Sequence, residues 1–180
     1  MPAHSRRVGP EHDPALGRRL LAEAGYPNGD GLPELTLAYF LGEPWEPMRD
    51  VLVAQLGEVG ARVRVERFTV STGPPAGAHL VWHGWQADHP DPAAMFDVAR
   101  ELGLYWSGEL EALVERARLS RDRDERIRLY REVERLWIAE GAALVPLYYI
   151  RTVVRHRTWV DGFWVSPVST CGLEELVVRR

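Results

Sequence analysis

Hydrophobic and polar positions change period several times along the chain, and each change marks an element. Leu16, Leu20, Leu21 and Ala24 recur at helical spacing behind Asp13-Pro14 and stop at Gly25. Aspartate is a good N-cap, proline suits the first helical position and glycine the position just past the end, so a short capped helix is predicted. Residues 26–31 form a turn cluster. Leu35, Leu37 and Tyr39 then alternate with Thr36, Ala38 and Phe40, apolar on both faces, as a central strand is. Met48, Val51, Leu52, Leu56 and Val59 return to helical spacing and end at Gly60, giving an amphipathic helix of about four turns. Ala61, Val63 and Val65 alternate with Arg62, Arg64 and Glu66, a half-exposed strand. Strand, helix, strand at this length is a βαβ unit with a parallel crossover.

Beyond a Gly/Pro loop at 71–78, Leu80-Val81-Trp82 reads as a further strand, and 84–92 as a loop rich in Trp, Asp, His and Pro. Leu110, Leu113, Val114 and Ala117 make one helical stripe. After a polar break at 120–124, Ile127, Tyr130, Val133 and Trp137 make a second, so two antiparallel helices follow, the second stopped by Gly141. The apolar run 144–150 reads as a strand with Pro146 near its start or on an edge. Val153-Val154 and 159–165 read as further strand pieces, and 173–180 is ambiguous. The sum is α/β with a mixed sheet and flanking helices.

Composition narrows the class. Arg supplies all 22 positive charges against 26 acidic residues, for a net charge of −4 over 180 residues. That balance excludes the overall electrostatic footprint of a nucleic-acid binder. The apolar runs fall far short of the roughly 18 residues of a membrane helix, so no direct membrane insertion is expected. A single Cys171 excludes an internal disulfide framework and a multi-Cys zinc site. The arginines of 116–135 alternate with acids such as Glu132 near Arg135, a solvated face of surface pairs. Trp137, Trp159 and Trp164 are expected in the core, as is Trp82 on its strand. The opening residues carry no apolar stretch of a secretory leader, and the chain reads as a piece of something longer.

Catalytic templates find little. There is no Gly-x-Ser-x-Gly elbow, Walker loop or His-Glu-x-x-His, and Gly29-Asp30-Gly31 reads as a turn. No cofactor is expected. His79 and His83 share a strand face but sit roughly 13 Å apart at about 3.3 Å per residue, too far to chelate one ion. His83, Asp88, His89 and Asp91 form a polar loop in which nothing in the spacing demands a metal, and Asp91-Pro92 is a good helix start.

Four segments in order resemble the family 5 extracellular solute-binding proteins, the oligopeptide, dipeptide and nickel-binding components of ABC importers. They are the opening through Asp13-Pro14 to Gly25-Tyr26-Pro27; Leu52 to Val63; Gly84-Trp85-Gln86-Ala87-Asp88 with the following Asp91-Pro92; and Asp124-Glu125-Arg126 with Tyr130, continuing to Val145-Pro146-Leu147-Tyr148-Tyr149. The resemblance implies a lobe of the type II periplasmic-binding-protein fold, incomplete relative to a two-lobe clamshell. Residues 1–12 would be an entry segment, 13–156 the ligand-binding second lobe, and 157–180 a return toward the first lobe.

It further implies a non-enzymatic protein that binds a peptide or other small molecule. The partners would be the first lobe of the same parent and, through the intact parent, an ABC permease, outside the cytoplasm in the periplasm or on a lipoprotein anchor. The isolated piece would have a tendency to self-associate. In peptide-binding relatives the aspartate of the Gly-Trp-x-x-Asp loop receives the peptide's α-ammonium group. That position is Asp88 here, Trp85 matches the aromatic wall, and His89 and Asp91 complete the expected ligand-binding set. Residues 71–78 and 96–107 are shorter than in the family, so its substrate choice is not carried over. Two other roles use the same residues: a sensor module fused to a cytoplasmic regulator, and a hydrolase built on Asp88 and Asp91.

Overall fold

The computed structural model describes residues 8–40, 46–69, 71–84, 91–101, 103–104, 106–148, 153, 155–164 and 174–179. The chain divides into two compact units, His12–Trp85 and Met1–Glu11 with Gln86–Arg180.

The first unit opens with α1 (Pro14–Glu23), capped as its sequence predicts: Asp13 accepts from the Leu16 N–H at 2.9 Å, and Pro14 stands in the first turn. A turn at Pro27–Gly29 leads into β1 (Leu35–Phe40). Helix α2 (Glu46–Glu58) then connects to β2 (Val63–Phe68), parallel to β1 in the register Leu35↔Val63 to Phe40↔Phe68. The short β3 (Leu80–Val81) is parallel to β1 on its other side, so β1 is central in the order β2-β1-β3. Thr36 through Tyr39 are buried, as a strand covered on both faces requires. Helix α2 carries half-buried Met48, Leu52 and Leu56, with half-buried Val59 just past its end, while Val51 of the predicted stripe faces solvent.

Side chains finish what the short β3 leaves undone. The Thr36 N–H donates to His79 Nδ1 at 3.0 Å, one residue before β3 begins, and the Thr36 hydroxyl accepts from Arg64 at 3.0 Å. A buried strand N–H without a partner costs about 1–3 kcal/mol, so His79 has work as an acceptor within the sheet. At the carboxyl end of β1 the buried Tyr39 hydroxyl accepts from Arg49 at 2.9 Å and Arg67 at 2.6 Å, and Phe40 meets Phe68 edge to face at 5.7 Å.

The second unit is built on α3 (Ala93–Glu101), α4 (Gly108–Leu119) and α5 (Arg123–Glu134), which continues into a π-helical turn at Arg135–Glu140. Ser107 caps α4 and Asp122 caps α5, the latter accepting from the Asp124 and Glu125 N–H groups. The Gly141 N–H closes the last turn on Leu136 O. Both predicted stripes are core: Leu110, Val114 and Ala117 pack with Leu129, Tyr130, Val133 and Trp137. Helix α3 adds Phe96 and Ala99, which the sequence pattern did not single out. A two-residue pair, β4 (Val160–Asp161) with β5 (Val177–Val178), is antiparallel. Parallel and antiparallel pairings thus occur in two separate sheets among the described residues.

Several expectations need correction. Residues 144–148 form no strand, because Pro146 lacks an N–H for a ladder and no described strand lies beside them; residues 149–150 are outside the described set. Val153 is likewise outside any strand, and Val154 is not described. Trp159 and Trp164 are not core: they remain 50% and 44% exposed, since the small β4–β5 pair offers too little surface to cover them. Trp82 is only half-buried. Among the described residues no helix is long and apolar enough to cross a membrane.

Candidate functional site

Open α/β sheets bind ligands outside the carboxyl ends of their parallel strands. In the His12–Trp85 unit that end carries Phe40, Phe68 and the Tyr39–Arg49–Arg67 cluster, and from it the chain leaves β3 through the exposed His83 and Gly84. Three of the four predicted ligand residues, Trp85, Asp88 and His89, lie outside the described residues. The fourth, Asp91, lies where the chain enters α3.

Three groups among the described residues donate to Asp91. Its Oδ1 accepts from the Ala93 N–H at 2.9 Å and from the Tyr130 hydroxyl at 3.0 Å, while Oδ2 is paired with the Arg126 guanidinium. The first contact is the local helix start read from Asp91-Pro92. The other two come from α5. Tyr130 reaches Asp91 from the core, its ring stacked on Phe96 of α3 with centroids 5.9 Å apart and planes at 16°. Helix α3 is held a second time further along, where Asp97 pairs with Arg100 at 3.1 Å and with Arg118 of α4, and Arg100 meets Glu111 at 2.7 Å.

The electrostatics follow from these contacts. Burial alone would push the Asp91 carboxyl up, but the Ala93 N–H, the Tyr130 hydroxyl and the Arg126 charge together hold it below the usual carboxylate range. Burial, then the hydrogen bond to Asp91, pushes the Tyr130 phenol above its ordinary value. A carboxyl that titrates lower in the folded chain stabilises it above the ordinary aspartate value, and the contribution is lost as pH falls through the folded value. Urea midpoints should therefore hold steady down to about pH 4 and fall below it. Asp91→Asn should be less stable at neutral pH yet lose less between pH 5 and pH 2.5. Parallel acid curves for the two proteins would show that Asp91 is not a stabilising carboxylate.

Arg126 and Tyr130 are neighbours of the candidate residue Asp91 that sequence reasoning missed. A signal was present, since both stand in the fourth segment of the family resemblance while Asp91 stands in the third. The structure joins the two segments through one carboxylate.

Residues 1–101 match the family model of bacterial extracellular solute-binding proteins, family 5, middle region, a stretch that includes the whole β3–α3 loop and Asp91. The di/tripeptide-binding protein 4 of Pseudomonas aeruginosa is 28% identical over 178 residues, covering 88% of this chain and 32% of that protein. The glutathione-binding protein of Salmonella paratyphi A is 25% identical over 179 residues, covering 87% and 34% respectively. The chain thus spans about a third of the length of these relatives. Among solved structures, the ABC transporter-associated periplasmic binding protein DppA from Helicobacter pylori, in complex with peptide STSA, superposes with a TM-score of 0.79 at 24% identity. That match covers 99% of this chain and 37% of the other, and it shows the periplasmic-binding-protein fold. Matched by the family model over more than half its length, the chain belongs to the bacterial extracellular solute-binding proteins, family 5, a family of solute binders and not of enzymes.

Proposed function

We propose that this chain is the ligand-binding lobe of a substrate-binding protein that captures short peptides outside the cytoplasm for an ABC importer. The observation that carries the reading is similarity along 87–88% of the chain to proteins described as glutathione-binding and di/tripeptide-binding. Residues 13–156 form the lobe, 1–12 lead into it, and 157–180 return toward the first lobe of the parent. The ligand-binding residues of this reading are Trp85, Asp88, His89 and Asp91, with Asp88 receiving the peptide ammonium. A hydrogen bond to a charged group contributes about 1.5–3 kcal/mol in a closed cleft. The exposure of the apolar side chains Val145, Leu147, Trp159 and Trp164 supports surface that the rest of the parent covers and that self-associates when bare. The sensor and hydrolase roles gain no support from these relatives.

One lobe supplies part of the contacts. Halving the roughly −8 kcal/mol of a micromolar ligand leaves about −4 kcal/mol, a millimolar affinity. An Asp88 that stays hydrated attracts an ammonium by only about 1 kcal/mol, near fivefold in affinity. The test is titration of tri-alanine and glutathione into the chain, followed by chemical shifts. Millimolar saturation, weakened about fivefold by N-acetylation of tri-alanine, is the expected result. No saturable shift would remove the peptide reading, and sub-micromolar binding would show that the lobe is a complete receptor.

A further inference from the structure

We infer that Arg49 and Arg67, gathered on the Tyr39 hydroxyl, form a seat for a ligand's carboxylate, and that Glu46 fills this seat in the unliganded chain; this rests on the binding role proposed for the protein. The register Tyr39↔Arg67 puts these two side chains on one face of neighbouring strands. The first turns of α2 bring Glu46 and Arg49 to the same point. It lies at the carboxyl end of β1 and β2, where open α/β sheets take their ligands.

Tyr39 is the positioning residue. It is 1% exposed, so its ring is fixed, and the guanidinium carbons of Arg49 and Arg67 lie 5.2 and 5.9 Å from its centroid. Both arginines donate to its oxygen, at 2.9 and 2.6 Å. A phenol that accepts twice still has one O–H to donate, so three donors meet at one place. Two like charges held on a neutral oxygen repel each other, and such a pair calls for an anion.

Glu46 supplies one, loosely. Its Oε1 lies 3.0 Å from Arg67 Nη2 and 3.9 Å from Arg49 Nη1, within hydrogen-bond range of only the first. The Glu46 side chain is 42% exposed and that of Arg67 58%, and solvent-exposed pairs contribute little and exchange readily. Asp50 does not compete for the seat, because it takes the opposite edge of Arg49, 2.8 Å from Nε and 2.6 Å from Nη2. An arriving carboxylate can set its two oxygens on the two guanidinium groups, the planar two-point match for which arginine is suited. The group that holds the place shows the chemistry the place accepts.

Titration of N-acetyl-alanine and its amide into the 180-residue chain at fixed ionic strength, followed by chemical shifts, tests this. The acid should bind, and the amide should bind about fivefold more weakly or not at all. Arg67→Gln should weaken the acid about fivefold, whereas Glu46→Gln, which vacates the seat, should strengthen it about two- to fivefold. Tyr39→Phe keeps the ring and should bring acid and amide close together, a selectivity change that a purely structural role would not produce. Equal binding of acid and amide, or an acid affinity that Glu46→Gln leaves unchanged or lowers, overturns the inference. Acid binding with these variant effects, but no stronger binding of tri-alanine than of N-acetyl-alanine, keeps the seat and removes the peptide reading. Tri-alanine binding that responds to N-acetylation but not to Glu46→Gln or Arg67→Gln keeps the peptide reading and removes the seat.

Discussion

Replacing Gly29 with alanine is expected to destabilise the His12–Trp85 unit by about 2–5 kcal/mol, and Gly60→Ala by a similar amount. Both glycines have positive φ, +80° and +93°. An alanine Cβ at Gly29 would lie 2.0 Å from the Gly60 carbonyl oxygen, and one at Gly60 would lie 2.2 Å from that of Asn28. The left-handed conformation costs a side-chain-bearing residue about 1–2 kcal/mol, and forcing two backbones apart adds about 1–3 kcal/mol. The contact matters because it ties the turn before β1 to the turn before β2. The next bond along, from the Leu35 N–H to Arg62 O at 2.9 Å, starts the parallel register. Gly57→Ala is the control: nothing lies within 4 Å of its Cβ position on α2, so alanine there should gain stability through helix propensity, by up to about 1 kcal/mol. Urea unfolding of the three variants checks this, and equal effects at Gly29 and Gly57 would refute the close-approach argument.

Trp137→Ala is expected to cost the other unit about 3–5 kcal/mol, a large share of a typical 5–15 kcal/mol domain stability. Trp137 is 2% exposed and lies edge-on to Phe96 and to Trp106, at 5.8 and 6.3 Å. The cavity would open beneath Phe96, the ring on which Tyr130 is stacked, so the lost stability and a loosened Asp91 should appear together. Trp137→Phe fills much of the space and should cost distinctly less. A loss below about 1 kcal/mol on Trp137→Ala would mean that the aromatic cluster can collapse to close the gap.

What the sequence could announce was whatever is decided within a few residues. Asp13-Pro14 and Gly25 mark the ends of α1 because caps are local hydrogen bonds. β1 declared itself central because both of its faces are apolar. Helix α3 stayed faint because three of its four buried residues, Ala93, Ala94 and Ala99, are small, leaving Phe96 as the one large buried signal. The run 144–150 read as a strand because apolar composition records that a residue wants a partner, not that one is at hand. Trp159 and Trp164 misled for the same reason. The partners of Asp91 were illegible because Arg126 sits among acids that satisfy a surface-pair reading, and only folding shows which carboxylate it chooses.

The unladdered segment 144–148 bears on colloidal behaviour. An apolar run at the surface is a template for intermolecular strand addition, and Val145 there is 67% exposed. Pro146 breaks the run after two residues, with no donor to offer an incoming chain, and Arg151 closes it on the far side with a charge. Such residues act as gatekeepers beside stretches that must stay hydrophobic. The proline that keeps 144–148 from being a strand in this chain also disfavours its becoming one between chains.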